Sequence, residues 1–242
     1  MQHHATGIDF GAKRAPVKCV AVALPLALGP LSILNMQIRF AFPLLLVVLA
    51  ATPAAAVCPG PTVYYQDGFD ELQPTWGQAS DAVKAANGAL QLTPAVGDYV
   101  WVVNNAGVYD DVDVCVSLTA VTSVDPEQAK SGLIFWYQDV NNFYVFELAP
   151  NGSASAWRRQ RGKWLPQVDW QPAPSANKGD GATNELRVTT VGDDATLYVN
   201  GTQFKKISGS APDKGQQIGL FAGSPDKAAA TFSFDDLKIT KP

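Results

Sequence analysis

The sequence predicts an all-β domain folded as a two-sheet antiparallel β-sandwich. From Tyr64 onward, no segment has the periodicity of an amphipathic helix longer than two turns. The chain instead alternates between short runs rich in β-branched and aromatic residues and clusters of turn residues. Many short strands at this spacing are typical of two packed antiparallel sheets rather than of an α/β fold. The predicted strands are residues 63–69, 82–86, 89–93, 99–103, 111–121, 132–138, 143–149, 154–160, 163–168, 185–191, 195–200, 203–207, 216–222 and 230–240.

The first 56 residues are expected to be absent from the working protein. Residues 36–56 have the parts of a secretory signal: Arg39, an apolar run, and Ala54-Ala55-Ala56 as a cleavage site ending at Ala56. The apolar run is short for a bilayer span, and an uncleaved membrane anchor is the alternative. Residues 1–35 are then upstream sequence from a start placed too early. Residues 57–242 form a single domain, secreted or periplasmic and without a membrane span.

Removal of this segment changes the charge of the chain. It takes away four of the 18 basic residues, one of the 22 acidic residues and both histidines, leaving a net charge of −7. An acidic domain without a basic stripe is a poor candidate for binding nucleic acid or an anionic membrane. Without histidine, a Ser-His-Asp or Cys-His catalytic arrangement is excluded and a zinc site is disfavoured.

Two cysteines remain after the signal, Cys58 and Cys115, in an export context that permits oxidation. Alternation along the strand places Val114 and Val116 on one face and Cys115 on the other, where a buried free thiol is less expected. We therefore predict a Cys58–Cys115 disulfide, which the chain-entropy model values at about 4 kcal/mol. Two free thiols are the alternative.

The register of the central hairpin depends on Asn151-Gly152. Asn-Gly is the strongest short signal for a type I′ turn, in which both central residues need positive φ. A two-residue turn here pairs Phe146 with Trp157 and Val145 with Arg158. A slip of one residue would exchange the two faces of the strand. Further hairpin candidates are Asn87-Gly88 and Asn200-Gly201.

With a four-residue loop at 139–142, this register divides the segment between Ser131 and Trp164 into two faces. One is a core face, made of Leu133, Phe135, Tyr137, Tyr144, Phe146, Leu148 and Trp157. The other mixes aromatic residues with Glu and Arg, a composition that suits a carbohydrate-type ligand. Its members are Ile134, Trp136, Gln138, Phe143, Val145, Glu147, Arg158 and Gln160.

A sugar site is predicted on this second face. Trp136 offers flat apolar surface to the CH groups of a pyranose, while Glu147 and Arg158 fix its hydroxyl groups. Gln160 lies on the same face. Trp164 and Trp170 stand on neighbouring loops as walls, Trp170 within a long Pro- and Gly-rich loop at 166–181. The alternative is a plain Glu–Arg cross-strand pair on an exposed sheet.

Five segments along the chain resemble a known group. They are QDGFD, SGLIFWYQDVNNFYVFEL, ELRVTTVGDDATLYVNGTQF, QIGLFAG and FSFDDLKI. In this order they resemble laminin-G-like jelly rolls of the concanavalin A-like lectin/glucanase superfamily, over residues 64–240. A bacterial branch, 3-keto-disaccharide hydrolase-like, has a similar strand pattern. The resemblance implies two sheets of about six or seven strands, one concave, with ligands on the concave sheet or its rim loops.

Catalysis on this fold would most often be glycoside hydrolysis, which needs two carboxylates across the scissile bond. The E-x-D-x-x-E pattern of family 16 glucanases is absent, and Glu147 is the one glutamate on the predicted ligand face. The leading hypothesis is therefore a secreted, monomeric, non-catalytic domain that binds carbohydrate or glycoconjugate. The first alternative is a glycoside hydrolase of the 3-keto-disaccharide type that acts through Glu147. The second is an envelope or adhesion domain with a protein partner.

No cofactor is expected, with a structural calcium ion as the open case. Asp67 and Asp70 lie near the first strand and Asp236 lies in the last strand. Terminal strands commonly pair in jelly rolls of this type, which would gather the oxygen ligands that calcium prefers. The alternative is that these aspartates are turn and bulge residues, with a β-bulge at Asp235-Asp236.

Overall fold

The computed structural model describes residues 58–123 and 125–242, and these form an antiparallel β-sandwich. Each predicted strand coincides with a strand of the structure, and no α-helix occurs within these residues. The predicted signal and upstream extension lie outside them. The strands are β1 (Val63–Asp67), β2 (Val83–Ala85), β3 (Leu90–Leu92), β4 (Tyr99–Val103), β5 (Asp113–Thr122), β6 (Lys130–Asp139), β7 (Asn142–Leu148), β8 (Ser153–Gln160), β9 (Lys163–Pro172), β10 (Thr183–Val191), β11 (Asp194–Val199), β12 (Thr202–Ser208), β13 (Gln217–Gly223) and β14 (Thr231–Thr240).

Two sheets divide these strands. The eight-stranded sheet has the order β12-β11-β10-β5-β14-β3-β2, and β1 also pairs with β14. The six-stranded sheet has the order β4-β13-β6-β7-β8-β9. The predicted fold class is therefore confirmed.

The first and last strands pair, as the resemblance implies. β1 and β3 lie along one edge of β14, and β5 lies along the other edge. The predicted bulge is present, because the β14–β5 register shifts between Asp235 and Lys238 and Asp236 has φ of 50°.

The main core lies between the inner faces of the two sheets. Its largest side chains are aromatic and less than 2 % exposed. Each buried aromatic side chain removes a large apolar area from water, so these residues contribute strongly to the stability of the core. Among them are Phe69, Phe135, Trp136, Phe146, Phe232 and Phe234.

The predicted disulfide between Cys58 and Cys115 is present, with a Cα–Cα distance of 5.7 Å. Val114 and Val116, on either side of Cys115, belong to the core between the sheets. The bond fixes the chain ahead of β1 to the middle of the eight-stranded sheet. A disulfide is compatible with the predicted export to an oxidising compartment. Within residues 58–123 and 125–242, no helix has the length and apolar character needed to cross a membrane.

The β7–β8 hairpin differs from the prediction by one residue. Its loop contains three residues, with Pro150 at the second position of a turn closed by the Gly152 N–H to the Ala149 carbonyl, at 2.9 Å. Gly152 has φ of 86°, whereas Asn151 does not have positive φ. Trp157 therefore pairs with Val145.

This shift exchanges the predicted faces of β8. Arg158 pairs with Tyr144 on the core side, and Trp157 lies on the opposite face. Two other Asn-Gly pairs do have positive φ at both residues, as predicted: Asn87-Gly88 at 57° and 69°, and Asn200-Gly201 at 49° and 73°.

A second irregularity moves Trp136. The β6–β7 pairing is continuous from Ser131 to Phe135 and shifts before Asp139, which pairs with Asn142 across a two-residue turn, so the predicted four-residue loop at 139–142 is wrong. Trp136 has φ of 47° at this bulge, and its backbone N–H donates to the buried Gln216 side chain at 2.8 Å. Its ring enters the core, so its predicted place on the ligand face is wrong.

Candidate functional site

A cavity of about 220 Å³ lies on the outer face of the six-stranded sheet, the face turned away from the eight-stranded sheet. Each of the six strands contributes one side chain to its lining. From one edge of the sheet to the other these are Tyr99 of β4, Phe221 of β13, Lys130 of β6, Glu147 of β7, Trp157 of β8 and Trp164 of β9. Four of the six are aromatic, one is a carboxylate and one is an amine.

Glu147 lies between two residues with little side-chain bulk. It pairs with Gly132 on β6 and with Ser155 on β8, and only 3 % of it is exposed. A Cβ at position 132 would overlap the carbonyl oxygen of Phe146, so the backbone approach here requires glycine.

A hydrogen-bonded chain joins the carboxylate to a tryptophan of the lining. The Ser155 hydroxyl donates to Oε2 of Glu147 at 3.1 Å. The indole N–H of Trp157 donates to the Ser155 oxygen, also at 3.1 Å. Because Ser155 is fully buried, both bonds are shielded from water and fix the orientation of the Trp157 ring.

Burial raises the pKa of Glu147 to about 7, against the smaller opposing effects of the Lys130 charge and the Ser155 hydrogen bond. A carboxyl group with this pKa is present in both its protonated and ionised forms at neutral pH. It can therefore donate a hydrogen bond or accept one, and it can take up or release a proton.

The same face carries a second hydrophobic cluster beside the cavity. Ile134, Phe143, Val145 and Phe221 are at most 1 % exposed there. Half-buried aromatic side chains cover them: Trp101, Tyr137, Trp157 and Trp164. The outer face of this sheet is thus an aromatic surface rather than a solvated polar one.

Arg159 lies among the rings of this surface. Its guanidinium carbon is 5.7 Å from the centroid of Trp101 and 5.2 Å from that of Trp164, within the range of cation–π attraction. Trp164 donates its indole N–H to the Tyr99 hydroxyl at 3.4 Å. Hydrogen bonds from Trp164 and from Arg159 lower the pKa of Tyr99.

The structure brings two of the predicted site residues, Glu147 and Trp164, to one cavity. Arg158 lies on the other face, with its guanidinium carbon 5.1 Å from the centroid of the Tyr144 ring. Gln160 ends β8 opposite Lys163, away from the cavity. Whether Glu147 and Trp164 bind sugar stays a prediction.

Trp170 lies on a strand rather than on the predicted loop. β9 continues through position 170 as far as Pro172, and Trp170 is 37 % exposed on this edge strand, outside the cavity lining. The long connection to β10 is therefore shorter than predicted.

Sequence reasoning missed Tyr99, Lys130, Trp157 and Phe221 as lining residues. One available signal was Pro150: its fixed φ suits the second position of a type I turn, which would have moved the turn by one residue and placed Trp157 on this face. Tyr99, Lys130 and Phe221 become neighbours only through the order of the strands.

One of the predicted calcium ligands, Asp67, already accepts hydrogen bonds from the protein. Asp67 accepts the backbone N–H of Phe69 at 2.8 Å, the indole N–H of Trp76 at 2.9 Å and the Tyr65 hydroxyl at 3.0 Å. Burial raises the pKa of Asp235, helped by the charges of Asp236 and Asp70. No group of three or more His, Cys, Asp or Glu side chains suited to a metal occurs in the described part of the chain. Calcium binding by Asp67, Asp70 and Asp236 stays a prediction.

The sheet order and the solved structures that resemble it define a jelly roll of the concanavalin A-like type. LamAcat from Zobellia galactanivorans superposes with a TM-score of 0.55 at 9 % identity, over 75 % of this chain and 98 % of that one. The β-glucanase of Bacillus licheniformis gives 0.53 at 10 % identity, over 74 % and 98 %. The carbohydrate-binding module CBM66 of Bacillus subtilis gives 0.50 at 17 % identity, over 63 % and 86 %. At these identities the likeness shows the fold alone.

Within this class the family is defined by sequence. The model of the 3-keto-alpha-glucoside-1,2-lyase-like domain matches residues 65–240, and the chain belongs to this family. A comparison with curated proteins gives no significant match.

Proposed function

We propose that this protein binds carbohydrate and holds a sugar ring in the cavity above Glu147. The observation that carries the proposal is the composition of the lining, in which four aromatic side chains surround one carboxylate and one amine. Family membership and the carbohydrate-active proteins that share the fold support the same class of ligand.

The two kinds of lining residue match the two kinds of surface on a sugar. A pyranose presents CH groups on its faces and hydroxyl groups around its edge. Trp157 and Trp164 offer flat apolar area to the faces. Glu147 in its ionised form accepts hydrogen bonds from hydroxyl groups, and Lys130 donates to their oxygen atoms.

The volume of the cavity limits the size of the ligand. Drug-sized ligands occupy pockets of about 300–1,000 Å³. A cavity of about 220 Å³ is smaller, and suits one ring rather than several. The hydrogen-bonded chain from Glu147 through Ser155 to Trp157 holds the polar and apolar parts of the site in a fixed relation before the ligand binds.

A glycan-array screen followed by tryptophan fluorescence titration of each hit tests the proposal. We expect saturable binding that Trp157→Phe weakens, because this variant loses ring area and the bond to Ser155. Trp170→Phe is the matched control, since Trp170 is exposed outside the cavity. Absence of binding to every glycan refutes the proposal and favours an adhesion role with a protein partner.

A second candidate function is cleavage of 3-keto-glucosides, favoured by the pKa of about 7 at Glu147. Among the described residues lining the cavity Glu147 is the only carboxylate, whereas glycoside hydrolysis uses two. An elimination needs one base. Glu147 would take the C2 proton next to the C3 ketone, and the C–H electrons would form the C1–C2 double bond. The C1–O bond would break with its electron pair going to the leaving oxygen, which would take a proton from water to release the other sugar, and the protonated Glu147 would return its proton to the hydroxide ion left behind.

Incubation with a 3-keto-α-glucoside, followed by measurement of the released sugar, tests this second function. A base with a pKa near 7 gives a rate that rises with pH through 7, and Glu147→Gln abolishes it. Glu127→Gln, at an exposed position, is the control. No turnover by the wild type rejects the enzymatic function while leaving binding intact.

A further inference from the structure

We infer that Tyr99 and Trp164 restrict this site to the terminal ring of a glycan. This inference rests on the proposed binding function, and it assigns to the two residues a role in specificity. The observation behind it is a contact between side chains from opposite edges of one sheet.

Tyr99 and Trp164 belong to the two edge strands of the six-stranded sheet, β4 and β9, with four strands between them. Their side chains nevertheless touch. Their ring centroids are 5.9 Å apart in an edge-to-face arrangement, in addition to the indole N–H bond to the tyrosine hydroxyl. The contact between these rings therefore joins the two edges of the sheet across its outer face.

Neighbouring side chains hold this bridge in place. Tyr99 stacks on Trp101 and on Phe221, with centroid distances of 5.7 and 5.9 Å. Trp164 packs edge-on against Phe143 at 5.5 Å. Arg159 lies within cation–π range of both Trp101 and Trp164. A ring fixed on several sides does not swing aside without losing these contacts.

The bridge has a consequence for a polymeric ligand. A ring inside a glycan chain needs two exits, one for each neighbouring residue. Tyr99 lines the cavity on the β4 side and Trp164 lines it on the β9 side. These two rings are in contact with each other. A glycan that continued past the bound ring on this side would run into the joined Tyr99 and Trp164 rings, so the bound ring is the last in its chain.

Pairs of array glycans that differ by one residue test the inference. In each pair, one glycan ends in the sugar that the screen identifies and the other carries one further residue on that sugar. We expect the wild type to bind the extended glycan at least about tenfold more weakly, a difference of about 1.4 kcal/mol. In Trp164→Ala and Tyr99→Ala, the difference in affinity between the two glycans should fall to about threefold, or about 0.7 kcal/mol. In the control variant Trp170→Ala, this difference should be the same as in the wild type.

The outcomes separate the inference from the function on which it rests. Equal binding of extended and terminal glycans by the wild type overturns the terminal-ring inference and leaves carbohydrate binding standing. Binding of no glycan overturns both. The wild-type comparison alone decides the inference if the alanine variants do not fold, which circular dichroism will show.

Discussion

Trp157 and Glu147 are joined through one hydroxyl group. Ser155 accepts the indole N–H of Trp157 and donates to the carboxylate of Glu147, each at 3.1 Å. The positions of the Trp157 ring and the Glu147 carboxylate are therefore fixed relative to each other before a ligand binds. Trp157 is one aromatic wall of the cavity, and Glu147 is the only carboxylate among its described lining residues. Such preorganisation lowers the entropy lost on binding.

Ser155→Ala should remove both hydrogen bonds of the Ser155 hydroxyl, the one to Glu147 and the one from Trp157. The buried carboxyl of Glu147 loses a donor, so we expect the free energy of unfolding to fall by about 1–3 kcal/mol. The hydrogen bond from Ser155 lowers the pKa of Glu147, so its loss should raise that pKa further. Urea unfolding and NMR titration of the carboxyl carbon measure the two effects. Ser153→Ala, in the same strand, is the control, and an unchanged titration contradicts the predicted role of Ser155.

Glu147 should make the stability of the protein fall as pH rises. Its pKa moves from 4.5 to about 7 on folding, so the folded state binds the proton more tightly than the unfolded state does. Its contribution is full below pH 4.5 and is lost as the pH rises through about 7, a change of about 3 kcal/mol.

Urea unfolding at several pH values measures this contribution. Glu147→Gln should lack that part of the pH dependence and should be more stable than the wild type at pH 8.5. Glu127→Gln makes the same chemical change at an exposed position and should keep the wild-type profile. Parallel profiles for the wild type and Glu147→Gln would show that Glu147 does not titrate in this range.

Trp136 should matter for folding and not for binding. Its ring is 1 % exposed and packs against Phe135 and Tyr144, with centroid distances of 5.3 and 5.0 Å. Trp136→Ala should lower the free energy of unfolding by about 3–5 kcal/mol. Trp136→Phe keeps an aromatic ring in the core and should bind glycans with wild-type affinity. A loss of affinity in a folded Trp136→Phe variant would contradict this assignment.

The disulfide should stabilise the domain substantially. Cys58 and Cys115 are 57 residues apart, and a loop of this length corresponds to about 4 kcal/mol in the chain-entropy model. Reduction should lower the urea midpoint of the wild type. A variant with both cysteines replaced by serine should unfold at that lower midpoint with or without reductant. Equal midpoints for oxidised and reduced wild type would contradict the prediction.

The strands could be predicted from the sequence because each depends on local alternation and on nearby turn residues. The register of β8 could not be obtained from Asn151-Gly152 alone, since Pro150 changes the type of turn. Because of this difference of one residue, the predicted register put Arg158 on the ligand face, where the structure has Trp157.

The position of Trp136 depends on a residue that is distant in sequence. Its bulge is held by a hydrogen bond to Gln216, which also donates to Thr190 at 2.8 Å. No local pattern contains this information. The same reason explains why Tyr99 and Phe221 were missed, because β4 and β13 join β6 only through long-range pairing.

A crystal structure of the protein with its tightest glycan tests the central claim most directly. We predict density for one sugar ring between Glu147 and Trp157, with a hydroxyl group within hydrogen-bonding distance of the carboxylate and Lys130 close to a ligand oxygen. Density for the sugar on the exposed edge at Trp170, or anywhere outside the cavity on the six-stranded sheet, would contradict the claim.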